Sequence, residues 1–164
     1  MRKALIVGID EYPYEIGRLS TCVRDAERMC ALLSEHGNGR RNFDCELYTA
    51  GEEFISESEL RKKIAAFFKQ RADVGLFYFS GHGDTDEFGS YLVTLDSQDY
   101  NRGVPMADIF NFANKSELVR EVIIIVDSCY SGATGSLPFL AWDMTMLREG
   151  VSILTANSSN EESK

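Results

Sequence analysis

The sequence is short of positive charge. Seventeen lysines and arginines against 26 aspartates and glutamates leave a formal net charge of -9 at pH 7. A broad phosphate-binding face needs a lysine or arginine for each contact, so neither nucleic acid nor an anionic membrane is an expected partner. Long apolar runs are missing too: the opening stretch M-R-K-A-L-I-V-G-I-D is broken by Asp10, falls short of a secretion signal, and no run approaches membrane-spanning length. A cytoplasmic location is expected on these grounds. Histidine is limited to His36 and His82, and the four cysteines, Cys22, Cys30, Cys45 and Cys129, form no C-x-x-C pair, which argues against a zinc framework. Neither G-x-G-x-x-G nor a P-loop occurs, and Gly8 stands alone after the first apolar stretch, so a nucleotide-binding domain has no support.

What is present fits one globular domain spanning residues 1–164, with 44% hydrophobic and 26% charged residues. Strand patterns occupy residues 3–10, 43–49, 74–80, 122–126 and 151–156. Between them, Cys22, Ala26, Met29, Cys30 and Leu33 recur at helical spacing, as do Leu60, Ile64, Phe67 and Phe68 behind a Ser56/Glu59 capping box. Ser20 or Thr21 can cap the first of these helices, and Glu57/Arg61 and Glu59/Lys63 are i,i+4 pairs in the second. Met106, Ile109, Phe110 and Ala113 predict a crossover helix starting near Pro105, residues 89–96 a short strand or hairpin arm, and residues 142–149 a short helix. Alternating strands and helices predict an α/β fold, a mostly parallel sheet with helices on both faces in the order 2-1-3-4-5.

Two strand ends carry chemistry. The β-branched run from Val122 to Val126 stops in D-S-C-Y-S-G, and the run from Val74 to Ser80 stops in G-H-G-D. Cys129 and His82 therefore leave the same carboxyl edge of a parallel sheet, where such folds place ligands. The thiolate is the nucleophilic form of cysteine, and a nearby imidazole can take the thiol proton. The expected roles are attack by Cys129 on a carbonyl carbon, proton transfer through His82, and an oxyanion held by the backbone N–H groups of Gly83 and Cys129. Taken singly, His82 could be a strand terminator and Cys129 an inert thiol; two matching strand ends favour a dyad. Cys22, Cys30 and Cys45 lie in helix or strand patterns, where thiols act as small hydrophobes.

The segments Y-F-S-G-H-G-D at Tyr78 to Asp84, V-D-S-C-Y-S-G at Val126 to Gly132, A-L-I-V-G-I-D-E-Y at Ala4 to Tyr12 and C-V-R-D-A at Cys22 to Ala26 resemble the caspase and metacaspase family of cysteine peptidases, the bacterial metacaspase-like branch above all. The resemblance runs along almost the whole chain. It implies a caspase-hemoglobinase three-layer sandwich, a large-subunit-like region whose small-subunit partner is a separate chain or a C-terminal continuation, and endopeptidase activity on proteins or peptides. It also implies an S1 pocket for arginine or lysine at P1, built from Asp25, Ser80 and Asp127, where caspases proper read aspartate with an arginine and a glutamine. Two carboxylates sharing one cleft agree in sign with a cationic side chain, although Asp127 would also suit turn capping and Asp25 a solvated helix face. Calcium activation, frequent in metacaspases, would fall to Asp96, Asp99 and Asp108; Ser136 stands where the family often has an aspartate. The polar segment S-S-N-E-E-S-K ends in Lys164, which the basic P1 preference makes an expected self-processing residue. The alternative function is a catalytically silent caspase-like interaction or regulatory domain.

Overall fold

The structure, a computed structural model, describes residues 1–13, 15–51, 54–128, 130–131 and 147–156. Five parallel strands form the main sheet: β1 (Arg2–Gly8), β2 (Phe43–Thr49), β3 (Ala72–Ser80), β7 (Val119–Asp127) and β9 (Val151–Ala156), in the order β2-β1-β3-β7-β9. This is the predicted order, counted over the five main strands. Strand β7 shows why its sequence belongs there. Val122, Ile124 and Val126 are buried on one face, Ile123 and Ile125 pack on the other, and parallel neighbours on both sides take up the backbone hydrogen bonds.

The same period of two divides the core. Leu5, Val7, Phe77, Phe79 and Ile124 join Leu60 and Ile64 of α2 (Glu57–Phe67) and Ile109 and Phe110 of α3 (Met106–Asn114) on one face of the sheet. On the other, Ala4, Ile6, Leu76 and Tyr78 meet Ala26 of α1 (Cys22–Ser34). Among the described residues no helix is long and apolar enough to cross a membrane.

Helix α2 starts as its sequence predicts, with Ser56 Oγ accepting from Glu59 N and the Glu59 carboxylate accepting from Ser56 N. The i,i+4 pairs expected inside it give way to tertiary partners: Arg61 reaches Asp108 at 2.8 Å and Lys63 reaches Glu46 at 2.6 Å. At α1 the predicted hydroxyl cap is absent. Thr21 is the N-cap residue but makes no side-chain cap bond, and Asp10, arriving from β1, accepts from Val23 N at 3.2 Å instead.

A second, four-stranded sheet extends beyond the strand or hairpin arm expected at residues 89–96. Strands β4 (Gly83–Asp86) and β5 (Gly89–Leu92) form an antiparallel hairpin, β6 (Val104–Pro105) pairs with β5, and β8 (Tyr130–Ser131) pairs in parallel with β4. The polar sequence G-D-T-D of β4 carries no strand signal; its hairpin is closed by Asp86, whose carboxylate accepts from Phe88 N, Gly89 N and the Tyr91 hydroxyl. Of the helix predicted at residues 142–149, positions 142–146 lie outside the described residues, and Leu147 to Gly150 are coil and turn. There Arg148 donates to the carbonyls of Ala113, Ser116, Val119, Arg120 and Glu149, tying the end of α3 to the start of β7.

Candidate active site

The register of the main sheet sets three strand ends level. Gly8 of β1 pairs with Ser80 of β3, which pairs with Asp127 of β7. The exits are tied as well: Ile9 N donates to Ser80 O at 2.9 Å, and Gly81 N to Asp127 O at 3.4 Å. His82 follows directly.

His82 is held at three points. Its backbone N–H donates to the Tyr12 hydroxyl at 3.0 Å, its carbonyl accepts from Val93 N at 3.0 Å, and its ring Nε2 lies 3.0 Å from Gly17 O. A carbonyl oxygen can only accept, so Nε2 carries the proton and, in the neutral ring, Nδ1 is the basic nitrogen. The Gly17 carbonyl is itself fixed by a turn in which Ile16 N and Gly17 N both donate to Pro13 O, with Gly17 at φ +92°, a conformation natural to glycine. Beside His82 opens a cleft of about 410 Å³ whose walls include Gly83, Ile16, Val93, Asp99 and Arg102. Arg102 is bound there by Asp84 and Asp86.

Cys129 lies outside the described residues, but both of its neighbours are placed. Asp127, two residues before it, pairs with Ser80, and Tyr130, directly after it, pairs with Gly83. The chain on either side of the cysteine is thus tied to the chain on either side of Gly81 and His82. Gly83, the expected oxyanion residue, is the buried first residue of β4.

The three residues expected in S1 come together on the α1 side of the sheet. Ser80 is 3% exposed, Asp25 is half-buried in the first turn of α1, and Asp127 is exposed at the end of β7. The structure adds Cys22 and Asp10. Burial pushes the Cys22 thiol above its ordinary pKa, a hydrogen bond with Ser80 opposes this, and the charges of Asp10, Asp127 and Asp25 push it up further. Tyr78 feels the same group: burial first, then Asp127 and Asp25, raise its phenol to about 12 against a lowering hydrogen bond from Ser80. Ser80 therefore stands between Cys22 and Tyr78, with three carboxylates around them. Cys22 could have been found in the sequence, since it lies three residues before Asp25 on the same helix face; Asp10 required the strand register.

Asp96, Asp99 and Asp108 do not gather. Asp96 accepts from Glu57 N and the Thr94 hydroxyl, Asp108 pairs with Arg61, and Asp99 lines the cleft beside His82. Among the described residues no three histidine, cysteine or acidic side chains stand close enough to hold a metal ion. Lys164 lies outside the described residues.

Comparison with known proteins adds three findings. A family model described as the caspase domain, peptidase C14, matches residues 1–162. Metacaspase III c of the diatom Phaeodactylum tricornutum (strain CCAP 1055/1) is 28% identical over 156 residues, which cover 85% of this chain and 45% of the metacaspase. The chain thus spans less than half the length of that relative. The crystal structure of protein GSU0716 from Geobacter sulfurreducens superposes with a TM-score of 0.62 at 19% identity, over 93% of this chain and 58% of that one, a likeness of fold.

Proposed function

The chain belongs to the caspase-domain family of peptidases, and from that premise we propose that it is a cysteine endopeptidase cleaving after arginine or lysine through a Cys129–His82 dyad. The observation that carries the reading is the Nε2 bond to Gly17 O, which leaves Nδ1 of His82 as the ring's proton acceptor at the carboxyl edge of the sheet. Its support in the chain's own geometry is the pairing that ties the flanks of residue 129 to the flanks of His82.

The P1 cation enters the group of Asp25, Asp127, Ser80 and Cys22, which presents the scissile carbonyl to Cys129. The thiol gives its proton to His82 Nδ1 and the sulfur adds to the carbonyl carbon, while the backbone N–H groups of Gly83 and Cys129 take the oxyanion. Collapse of the tetrahedral adduct breaks the C–N bond, and the imidazolium returns its proton to the departing amine. Water, deprotonated by the same imidazole, then hydrolyses the thioester. A negative charge two residues before Cys129 disfavours its thiolate, so a P1 cation that offsets Asp127 also aids the nucleophile.

The proposal extends to self-processing in the polar segment that follows β9 in sequence, and to a partner for the main sheet. Among the described residues strand β9 is at the edge of the sheet with Leu154 55% exposed, a surface that a small-subunit chain or continuation would cover.

The test is hydrolysis of short peptides with arginine at P1 by the wild type, Cys129→Ala and His82→Ala, with folding checked by circular dichroism. Loss of several orders of magnitude is expected in both variants. Wild-type turnover in either one would remove the dyad, and three inactive proteins would favour a silent domain.

A further inference from the structure

Tyr12 has no part in the chemistry above, yet it is the residue most closely built around His82. Its side chain is 4% exposed. The hydroxyl is used in both directions, accepting from His82 N at 3.0 Å and donating to Val93 O at 3.3 Å. Val93 N in turn donates to His82 O at 3.0 Å, so Tyr12, His82 and the start of the segment after β5 close a three-membered circuit. The ring of Tyr12 also packs on the imidazole, with centroids 4.8 Å apart and planes at 57°.

The neighbouring sequence makes room for this contact. A Cβ on Gly81 would lie 2.5 Å from the Tyr12 hydroxyl and 2.8 Å from the Phe79 ring, so only glycine lets the hydroxyl come this close to His82. The loop that begins at Tyr12 ends on the same imidazole: Pro13 O anchors the turn that presents Gly17 O to Nε2, and Leu19 N returns to Asp10 O at 2.9 Å. Backbone and ring of the histidine are therefore clamped by one stretch, residues 10–13 and 15–19, and among its described residues Tyr12 supplies the buried polar side chain on His82. Burial drives the phenol pKa upward, which keeps the hydroxyl protonated and able to donate and accept at once.

We propose that Tyr12 is a positioning residue of the dyad: its hydroxyl, between His82 N and Val93 O, and its ring, against the imidazole, hold His82 in the rotamer and Nε2–H tautomer that can take the thiol proton. The proposal rests on the dyad reading. It differs from a plain packing role because the circuit fixes the φ/ψ and ring direction of one residue, so its loss moves a reacting nitrogen. Displacement of a reacting group by about 1 Å can cost on the order of a hundredfold in rate.

Tyr12→Phe tests it, in the full-length protein, since the change deletes the hydroxyl and keeps the ring. With an arginine-P1 peptide, kcat should fall about ten- to a hundredfold while KM changes little. Long-range 1H–15N spectra should show the His82 ring passing from one tautomer to a mixture. His82→Ala runs in parallel to separate the two claims. If His82→Ala is inactive and Tyr12→Phe keeps the wild-type kcat and a single tautomer, the positioning role is overturned and the dyad stands; if His82→Ala is active, the dyad itself falls. Should Tyr12→Phe fail to fold, Gly81→Ala pushes the hydroxyl away from the opposite side, with the same kcat loss expected and unchanged kcat contradicting the proposal.

Discussion

One methyl group placed at Gly8 should disturb both stability and substrate binding. Gly8 ends β1 against the first turn of α1, and a Cβ there would lie 2.7 Å from Ala26 Cβ, 2.7 Å from Cys22 O and 3.0 Å from Val23 Cα. Carbon atoms settle at about 3.5–4.0 Å, so strand and helix must separate by roughly 1 Å. None of the three atoms can swing aside, because two are backbone and the third is the Cβ of an alanine. The sheet is the less yielding side: β1 has parallel neighbours on both edges. The helix therefore moves, at a cost of about 1–3 kcal/mol for overpacking, equivalent to a fall of about 2–4 °C in Tm for each kcal/mol in a chain of this size. The first turn of α1 also carries Cys22 and Asp25, so KM for arginine-P1 peptides should rise with the displacement. Urea unfolding gives the first quantity as a lower midpoint at unchanged slope, and steady-state kinetics the second. Gly37→Ala is the control, since nothing lies within 4 Å of that position. Equal midpoints for Gly8→Ala and Gly37→Ala would refute the packing argument, and a destabilised Gly8→Ala with unchanged KM would separate α1 from the substrate pocket.

Two further predictions concern the carboxylates around Ser80. Asp25→Asn should lower kcat/KM for arginine-P1 peptides, relative to neutral-P1 ones, by about tenfold, and Asp127→Asn by less, because Asp127 is exposed and better screened; kinetics on paired substrates decides, and unchanged P1 preference in both variants would contradict the pocket. Tyr78, with its phenol raised from the ordinary 10 to about 12, contributes stability that is complete below pH 10 and lost as pH rises towards 12; the urea midpoint of wild type should therefore fall more steeply over that window than that of Tyr78→Phe, and parallel curves would refute the linkage.

What the sequence discloses and what it hides divide along physical lines. The main strands announce themselves because burial on both faces requires unbroken apolar runs such as Val122 to Val126, and abrupt ends after Ser80 and Val126 mark the sheet edge that carries His82. The Ser56/Glu59 cap is legible because both partners lie within one turn. Contacts whose partners come from distant elements are not. Lys63 leaves Glu59 for Glu46 and the Tyr48 ring, Asp10 replaces Thr21 as the cap of α1, and the Tyr12 hydroxyl meets Val93, 81 positions away. Tertiary partners prevailed over local ones in each case. Strands β4, β6 and β8 are two to four residues long and draw their order from pairing and the Asp86 turn rather than from an apolar pattern, so no periodicity could betray them. The expected pocket residues Asp25, Ser80 and Asp127 follow from the resemblance to metacaspases and Cys22 from its helical spacing to Asp25, whereas Asp10 joins them only once three strand ends are set level.

The most direct measurement is covalent labelling of the protein with peptidyl chloromethyl ketones that differ only at P1, arginine against aspartate, read by peptide mapping mass spectrometry. A reactive carbon presented by a P1 side chain tests pocket and nucleophile in one event. The account predicts that the arginine reagent alkylates Cys129 and leaves Cys22, Cys30 and Cys45 unmodified, that the aspartate reagent reacts far more slowly, and that His82→Ala slows the arginine reagent by orders of magnitude. Equal labelling by both reagents, labelling spread over the other cysteines, or undiminished labelling in His82→Ala would contradict it.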